Sequence, residues 1–480
     1  MPSSAQSFYL ERVDAREEAG CGQCRGTAAA RSNLSGDDGA AAAWLDSPEG
    51  RSYPRSTSNK IALSPPAFAR QIDADAVSHH VRPGPDREWA GFCAQATGPN
   101  KVDAMKNDKR IAVVGAGLGG LSAAGFLQRA GFHVTVYEQA PSFSRIGAGI
   151  ILSANVMKAL RRLGVERALV ETGIKPRCYI SRAWDTGETM YEIIFDAASE
   201  ERFGGPYLNI HRGDLHAVLE QVVTPGTIAF NHHLIDLKET SQSMRLIFEN
   251  GVEAEADIVI GADGIRSRIR ECLLGDEAPR FVGAVAHRAI FATERLRGFD
   301  IPDCTKWWGR DRHILPYFMT DRRDEIYVIG VVPAATWQSD AASLPSSREE
   351  LLQSFAGFHQ DLRRVLEVAE DVSLWPIYDR ERDDRWSGGR IVLLGDACHP
   401  MRPYMAAGGA MAVEDGAILS RCLTAFDEPA EAFRCYEATR IPRVADVQRI
   451  SIENSWMRGP TETDWFYCYD PCTAPLAPQQ

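Results

Sequence analysis

No helical or strand-like hydrophobic period persists along residues 1–104, and one begins abruptly at Ile111. Residues 111–114 are a continuous apolar run, the pattern of a parallel strand covered on both faces. The turn Gly115-Ala116-Gly117-Leu118-Gly119-Gly120 follows, and a helix is predicted from Leu121 to Ala130, with Ala123 and Ala124 small enough to pack closely on a sheet. A second strand, His133 to Tyr137, ends at Glu138. Two more apolar strands, residues 257–260 and 391–394, each run into a polar turn: Gly261-Ala262-Asp263-Gly264 and Gly395-Asp396-Ala397-Cys398-His399-Pro400. Between them the chain reads as sheet at residues 286–290, 306–308, 313–318 and 325–332. Asn250-Gly251 marks a hairpin just before the strand at 257–260. One helix is expected from about Ser347 to Val368, with Ser346 and Glu349 as its capping box.

Length and charge narrow the picture. At 480 residues the chain exceeds one ordinary domain. A formal charge of -12 argues against non-specific nucleic-acid binding, which needs a basic face to displace counterions. It leaves an anionic small molecule possible, because one arginine in a pocket outweighs the total. No apolar run is long enough to cross a bilayer and the start lacks the order of a secretory signal, so a cytoplasmic location without membrane contact is expected. The eleven cysteines are scattered and are expected to be buried thiols in a reducing compartment. Cys21 and Cys24 form a lone CxxC with only His79 and His80 near it, too few ligands for a zinc site, and no metal is expected. Residues 1–104 are rich in Ala, Ser, Gly, Pro and Arg, and carry two lysines, Lys60 and Lys101, against nine arginines. The text changes at Met105-Lys106-Asn107, directly before the first strand, so Met105 is expected to be the initiator and the preceding segment a non-native or disordered extension.

The first turn has the chemistry of a dinucleotide cradle. Gly115 makes the tight turn, Gly117 lets backbone approach a pyrophosphate, and Gly120 brings the helix against the strand so that its N-terminus faces the anion. Glu138 stands where a carboxylate would accept hydrogen bonds from a ribose, with Gln139 beside it. Strand, turn, helix, strand and acid in that order are a strong signal, although it does not choose FAD over NAD.

The three turns in this order and at these separations resemble the para-hydroxybenzoate hydroxylase-like flavin monooxygenases, and the likeness extends over residues 109–470. It implies an α/β fold: a Rossmann-like FAD-binding domain with an inserted α+β substrate domain and C-terminal helices. The FAD-binding parts are expected at 105–180, 206–280 and 386–425, the substrate parts at 181–205 and 281–385, and a C-terminal helix and tail at 426–480. The resemblance further implies that Asp396 binds the ribityl chain. The turn at Asp263 would serve the FAD pyrophosphate and a transient NADH or NADPH. Arg212 would reach the FAD, and Leu234 would pack beside the adenine. Gly408 and Gly409 would open a helix whose N-terminus stabilises negative charge on the reduced flavin ring. Here Ala406 and Ala407 precede them where the family has Gly-Gln-Gly, which backbone amides tolerate. No second GxGxxG appears for the nicotinamide, as in a family whose reductant visits the flavin without a Rossmann domain of its own.

Within that family the runs at 210–216, 286–288, 306–308 and 395–401 are similar to the 6-hydroxynicotinate 3-monooxygenases, and more distantly to the salicylate hydroxylases. The resemblance implies hydroxylation of a small aromatic or pyridine acid by O2, with or without loss of its carboxylate. His313 and Tyr317 match positions that line the substrate pocket and are the candidate catalytic residues. The histidine that such enzymes carry just after Gly-Ala-Gly-Ile is replaced by Ile151, which cannot take a proton. Either His313 or Tyr317 then does that work, or the substrate differs. One of Trp307 and Trp308 is expected only to pack, His287 to be structural, His399 to shape the flavin site, and Trp465 to Tyr469 to pack on the core. A non-hydroxylating FAD oxidoreductase is the alternative from another class.

Overall fold

The computed structural model describes residues 108–145 and 148–478, all within one compact unit, Asp86–Gln480. Met105, the CxxC at Cys21 and Cys24, and His79 and His80 lie outside the described residues.

Along the chain the elements are β1 (Arg110–Val114), α1 (Leu118–Arg129), β2 (His133–Tyr137), β3 (Gly149–Leu152), α2 (Ala154–Arg162), α3 (Glu166–Thr172), β4 (Cys178–Ala183), β5 (Thr189–Ile194), α4 (Ala197–Phe203) and β6 (Leu208–His211). Then follow α5 (Arg212–Glu220), β7 (Ile228–Ala229), β8 (Leu234–Glu239), β9 (Met244–Phe248), β10 (Glu253–Ala256), β11 (Ile258–Gly261), α6 (Arg268–Leu274) and β12 (Arg280–Ala292). The substrate-side strands are β13 (Thr305–Trp308), β14 (His313–Phe318), β15 (Glu325–Pro333) and β16 (Leu344–Pro345), followed by α7 (Arg348–Ser354), α8 (Gln360–Leu366) and β17 (Ser373–Asp379). Last come β18 (Ser387–Gly388), β19 (Ile391–Leu393), α9 (Gly408–Ala425), α10 (Pro429–Glu453) and α11 (Asp464–Tyr467).

Two large sheets organise these elements. The first runs β18-β19-β11-β1-β2-β7 and is parallel except for β18. Ile111 sits opposite both Ile258 and Val134, so β1 is central and its apolar run is covered on both faces. Because β1, β11 and β19 are parallel neighbours, the turns after them meet at one edge, although they lie far apart in sequence. In an open parallel sheet that carboxyl edge is where a ligand crevice forms. Helix α1 lies against α9: a methyl group at Gly416 would stand 2.8 Å from the backbone nitrogen of Ala123. Helix α1 begins three residues before the predicted start, because Leu118, Gly119 and Gly120 are already helical and the turn proper is only Gly115 to Gly117.

The second sheet runs β16-β17-β12-β15-β14-β13-β4-β5 and is antiparallel except where β13 pairs parallel with β4. Strand period sorts its residues. Trp307, Ile314, Phe318 and Val328 share a core with Leu351, Phe355 and Leu362 of the α7–α8 region. Cys304, Tyr317 and Tyr327 belong instead to the core shared with the parallel sheet. His313, Leu315 and Tyr317 alternate with Ile314 and Phe318, so they face the nucleotide side.

Several expectations need correction. The single helix from Ser347 to Val368 is two helices, α7 and α8. Gly357 at φ +84° turns the chain between them, and His359 caps α8 by accepting from the Asp361 N–H. The capping box is Ser347 with Glu350, one residue beyond the expected pair; Ser346 instead donates its hydroxyl to Glu350 at 2.7 Å. Both pairs have the same spacing, and the true helix start at Arg348 decides between them. Cysteines of the described residues are all free, but Cys272 and Cys468 are exposed. The Asn250-Gly251 hairpin joins β9 to β10 as expected. Phe466 and Tyr467 are buried, and among the described residues no helix is long and apolar enough to cross a membrane.

Candidate active site

At the end of β1 the backbone takes a conformation that L side chains resist: Gly115 has φ +100°, and a methyl group there would overlap the Ala262 carbonyl of the neighbouring turn. At Gly120 a methyl group would overlap the carbonyl oxygen of Gly115, so the first turn of α1 can rest on the strand end only as glycine. Gly117 differs, because an added methyl meets no atom within 4 Å and would project into open space. As N-cap of α1 it offers no side-chain hydrogen bond, which leaves the N–H groups of the first turn available to an anion. Glu138, after β2, reaches back to this turn: one carboxylate oxygen accepts from the Ala116 N–H at 2.9 Å, the other from the Ala140 N–H at 2.9 Å. Each oxygen keeps a lone pair for a ribose hydroxyl. Gln139 is exposed beside it. Leu234 is buried at the start of β8, whose approach is tied to Glu138 by the His232 N–H donating to the Glu138 carbonyl.

The second turn holds its acid for a different purpose. Asp263 accepts from the Ser267 hydroxyl at 2.5 Å, the Arg268 N–H at 2.7 Å and the Ile269 N–H at 3.1 Å. Burial pushes its carboxyl pKa up, and these three donors oppose that. The carboxylate is thus committed to fastening the start of α6.

The third turn is held from below by a fully buried ionic cluster. Asp415 of α9 accepts from the Gly395 N–H at 2.9 Å, lies 2.6 Å from Nε2 of His399, and accepts from Arg440 Nε at 2.7 Å. Arg440 also donates to Glu414 at 2.6 Å, and Glu414 further accepts from Asn155 and Arg443. Asp415, Glu414 and Arg440 are each 0% exposed. Burial alone would push the Asp415 carboxyl up, but His399 and Arg440 hold it down at about 2. Asp396 itself is exposed while Gly395, Ala397 and Cys398 around it are buried. Its carboxyl is nonetheless set among these buried residues, and that partial desolvation raises its pKa, opposed by His399 and by Arg212. Arg212 opens α5, keeps exposed surface, and has no carboxylate or carbonyl in hydrogen-bond reach of its guanidinium among the described residues. Asp396 and Arg212 therefore present one anionic and one cationic group to the same crevice.

The N-terminus of α9 faces this region as well. Its cap, Ala407, makes no side-chain hydrogen bond, and Ala406 before it has φ +54°, a left-handed conformation for a residue with a side chain. Gly408 and Gly409 supply the first free N–H groups of an 18-residue helix. The uncapped starts of α1 and α9, the open space at Gly117, and the unpartnered Arg212 together fit an FAD laid along the carboxyl edge of the parallel sheet. When bound, such a flavin accepts hydride from a reduced nicotinamide and activates O2.

Beside the start of α9 lies a small cavity of about 30 Å³. Its wall includes Ile151, Tyr179, Tyr207, Lys306, His313 and Tyr404. His313 stands edge-on to Tyr404, ring centres 5.1 Å apart. Burial, then Lys306, pushes the His313 pKa well below the ordinary range, so its imidazole is neutral. Asn454 lies between the two: Lys306 donates to its Oδ1 at 3.4 Å, which turns the amide nitrogen toward Nδ1 of His313 at 3.2 Å. As an ammonium Lys306 can only donate, so in that form the amide orientation follows and the proton of His313 sits on Nε2. Tyr317 is two residues beyond Leu315 on the same face, against Gly149 and edge-on to Tyr327. Burial raises its pKa well above the ordinary value, so its phenol stays protonated. Ile151 does line the cavity, so the missing histidine is missing from the wall itself.

Of the expected side chains, His313 and Ile151 line the cavity and Tyr317 does not; Asp396 and Arg212 share the crevice; Asp263 fastens the start of α6. Trp307 packs beneath α8, whereas Trp308 lies under Lys306 and donates its indole N–H to Ser181 at 3.0 Å. His287 is remote, bonded to Ser354 at 3.1 Å. Tyr404, Asn454 and Asp415 belong to no motif in the sequence, and Lys306 enters only as part of the run at 306–308. For Lys306 and Asp415 a signal was present: a charge inside an apolar run.

A family model described as an FAD binding domain matches residues 108–451. The 6-hydroxynicotinate 3-monooxygenase of Bordetella bronchiseptica (strain ATCC BAA-588 / NCTC 13252 / RB50) is 46% identical over 377 residues, covering 78% of this chain and 98% of that protein. The enzyme of the same name from Pseudomonas fluorescens is 45% identical over 376 residues, covering 78% and 98%. Among solved structures, Klebsiella pneumoniae HpxO complexed with FAD and uric acid aligns with a TM-score of 0.66 at 26% identity, over 75% of this chain and 92% of that one. Given the extent of these matches, and three turns and two uncapped helix starts that fit the cofactor, the chain belongs to the FAD binding domain family and is an FAD-dependent monooxygenase.

Proposed function

We propose that this monooxygenase uses NADH or NADPH and O2 to hydroxylate a small aromatic or pyridine carboxylic acid, and that a hydroxypyridine acid of the 6-hydroxynicotinate type, losing its carboxylate, is its substrate class. The observation that carries this reading is the cavity beside α9. Its aromatic walls, Tyr179, Tyr207 and Tyr404, suit a planar ring, and its polar groups, Lys306 and His313, suit an acid. Relatives at 46% and 45% identity bear the name 6-hydroxynicotinate 3-monooxygenase.

In this reading the free N–H groups at Gly408 and Gly409 stabilise negative charge developing at the cofactor, as helix N-termini do. Arg212 and the turn at Gly395-Asp396 hold the cofactor, Arg212 by its charge and Asp396 by accepting hydrogen bonds from hydroxyls. His313, protonated at Nε2, donates to an oxygen of the ring and orients it, while Tyr317 packs behind the wall on the same face of β14. The apolar wall of Ile151, Leu315, Ile329 and Val331 excludes water, which protects an oxygenating site from wasteful peroxide release.

The test is NADH oxidation by the FAD-loaded protein with 6-hydroxynicotinate, salicylate and 3-hydroxybenzoate, following CO2 and peroxide together. CO2 released in step with NADH, from 6-hydroxynicotinate, is the expected result. Tight coupling only to salicylate would move the substrate to a benzene acid. Oxidation that no ring acid stimulates would overturn the reading.

A further inference from the structure

Lys306 is a charge without a counter-charge. It sits within β13, 3% exposed, and lines the cavity. Its ammonium donates to the Tyr404 carbonyl at 3.1 Å and to Asn454 Oδ1 at 3.4 Å, and stands 3.9 Å from the centre of the Trp308 ring. All three partners are neutral, and no carboxylate among the described residues forms an ion pair with it. The titratable groups around it offer no help. Cys304, just before its strand, has its thiol pKa pushed up by burial and stays neutral. His313 on β14 is neutral, and the Tyr404 phenol, raised by burial, is protonated. Arg458, beyond α10, is a second cation, stacked over the same Trp308 ring. A buried cation of this kind is costly and survives in a fold where something else supplies the opposite charge.

We propose that Lys306 is the counter-ion of the substrate: from the cavity wall its ammonium pairs with the carboxylate of the bound ring acid, sets the preference for acids over neutral rings, and fixes which edge of the ring faces the cofactor. This rests on the ring-acid reading above and names the group that reading leaves without a partner. It also gives the Asn454 amide a purpose. The same ammonium that meets the carboxylate sets the amide, and the amide sets the tautomer of His313, so charge recognition and ring orientation are joined through three side chains.

The account has a pH signature. Burial, then Arg458, lowers the Lys306 pKa to about 7 in the ligand-free pocket. A carboxylate binds the protonated form, so above that pH binding must take up a proton. Its Kd should therefore rise about tenfold for each pH unit between roughly 7 and 9. A carboxamide of the same ring needs no cation and should show no such dependence.

The experiment is binding of 6-hydroxynicotinate and 6-hydroxynicotinamide to the FAD-loaded protein from pH 6.5 to 9, read by perturbation of the flavin absorbance. The amide shares the ring hydroxyl and so controls for its titration. In the wild type the acid should bind roughly 30-fold or more tighter than the amide at pH 6.5, with the pH dependence above. Lys306→Met should erase both the preference and the pH dependence. Lys306→Arg should keep the preference and flatten the profile, because arginine stays charged. The flavin spectrum of each variant reports whether it holds the cofactor. If Lys306→Met does not hold FAD, the wild-type profile decides, and a flat one overturns the proposal. Preference retained in a flavin-loaded Lys306→Met also overturns it. Equal binding of acid and amide by the wild type overturns the role of Lys306 but leaves the ring reading intact. If neither compound, nor salicylate, nor 3-hydroxybenzoate perturbs the flavin, the ring-acid reading fails and the proposal falls with it.

Discussion

Replacing Asp415 by Asn keeps the shape of the side chain and removes its charge, at a point where three donors converge. One oxygen takes the Gly395 N–H at 2.9 Å and faces His399 Nε2 at 2.6 Å; the other takes Arg440 Nε at 2.7 Å. An amide offers one oxygen, so its NH2 must confront a donor on one side or the other. Asp415 and Arg440 are both 0% exposed, and water cannot make up the loss. Breaking one partner of a buried ion pair costs about 3–5 kcal/mol. Arg440 keeps its bond to Glu414, so the lower end applies, and the thermal midpoint should fall by roughly 4 °C. Glu414→Gln makes the instructive comparison, since Glu414 bonds Asn155, Arg440 and Arg443 but not the Gly395 turn. Thermal unfolding at neutral pH should show both variants destabilised. Flavin fluorescence titration should show FAD binding weakened tenfold or more only in Asp415→Asn. Equal weakening in both variants, or none in Asp415→Asn, would refute the claim that Asp415 positions the cofactor turn. Acid adds a check: Asp415 titrates at about 2 in the fold and near 3.9 when unfolded, so its contribution is whole above about pH 4 and is lost as pH falls toward 2.

Gly117→Ala should leave the thermal midpoint of the cofactor-free protein unchanged, because the new methyl meets nothing within 4 Å, while weakening FAD binding roughly tenfold or more. Gly120→Ala, whose methyl would overlap the Gly115 carbonyl, should instead destabilise the cofactor-free protein by about 1–3 kcal/mol; identical unfolding curves for the two variants would count against these separate roles. Lys306→Met should raise the ligand-free thermal midpoint at pH 6. A lysine pKa lowered from 10.5 to about 7 costs the fold on the order of 5 kcal/mol below pH 7, and that cost fades as pH rises from 7 toward 10.5. The gain should accordingly shrink by pH 9, and a midpoint that falls at pH 6 would contradict it.

The dinucleotide cradle was readable because its parts are consecutive: strand, turn, helix, strand and acid fall within residues 110–138, and each obeys a local rule. The turn at Asp263 was legible for the same reason. Its partners, Ser267, Arg268 and Ile269, are also local, and they claim the carboxylate as a helix cap. Lys306 was hidden by topology. In the sequence it begins a Lys-Trp-Trp run that reads as strand, and nothing nearby says whether that strand has a free edge. The parallel pairing of β13 with β4, residues far upstream, closes the edge and buries the lysine. Asp415 and Arg440 met in the same way, on two helices whose contact no periodicity reveals. The break between α7 and α8 was marked by Gly357, which the apolar pattern on either side outweighed.

The central claim is that one oxygen atom from O2 is placed on a ring acid held in the cavity beside α9. It is tested most directly by supplying the FAD-loaded protein with NADH, 18O2 and 6-hydroxynicotinate and weighing the ring product. A product carrying one 18O atom, formed one for one with NADH consumed, is the expected result. NADH consumed with the ring acid recovered unlabelled and unchanged, and all the label in peroxide, would contradict it.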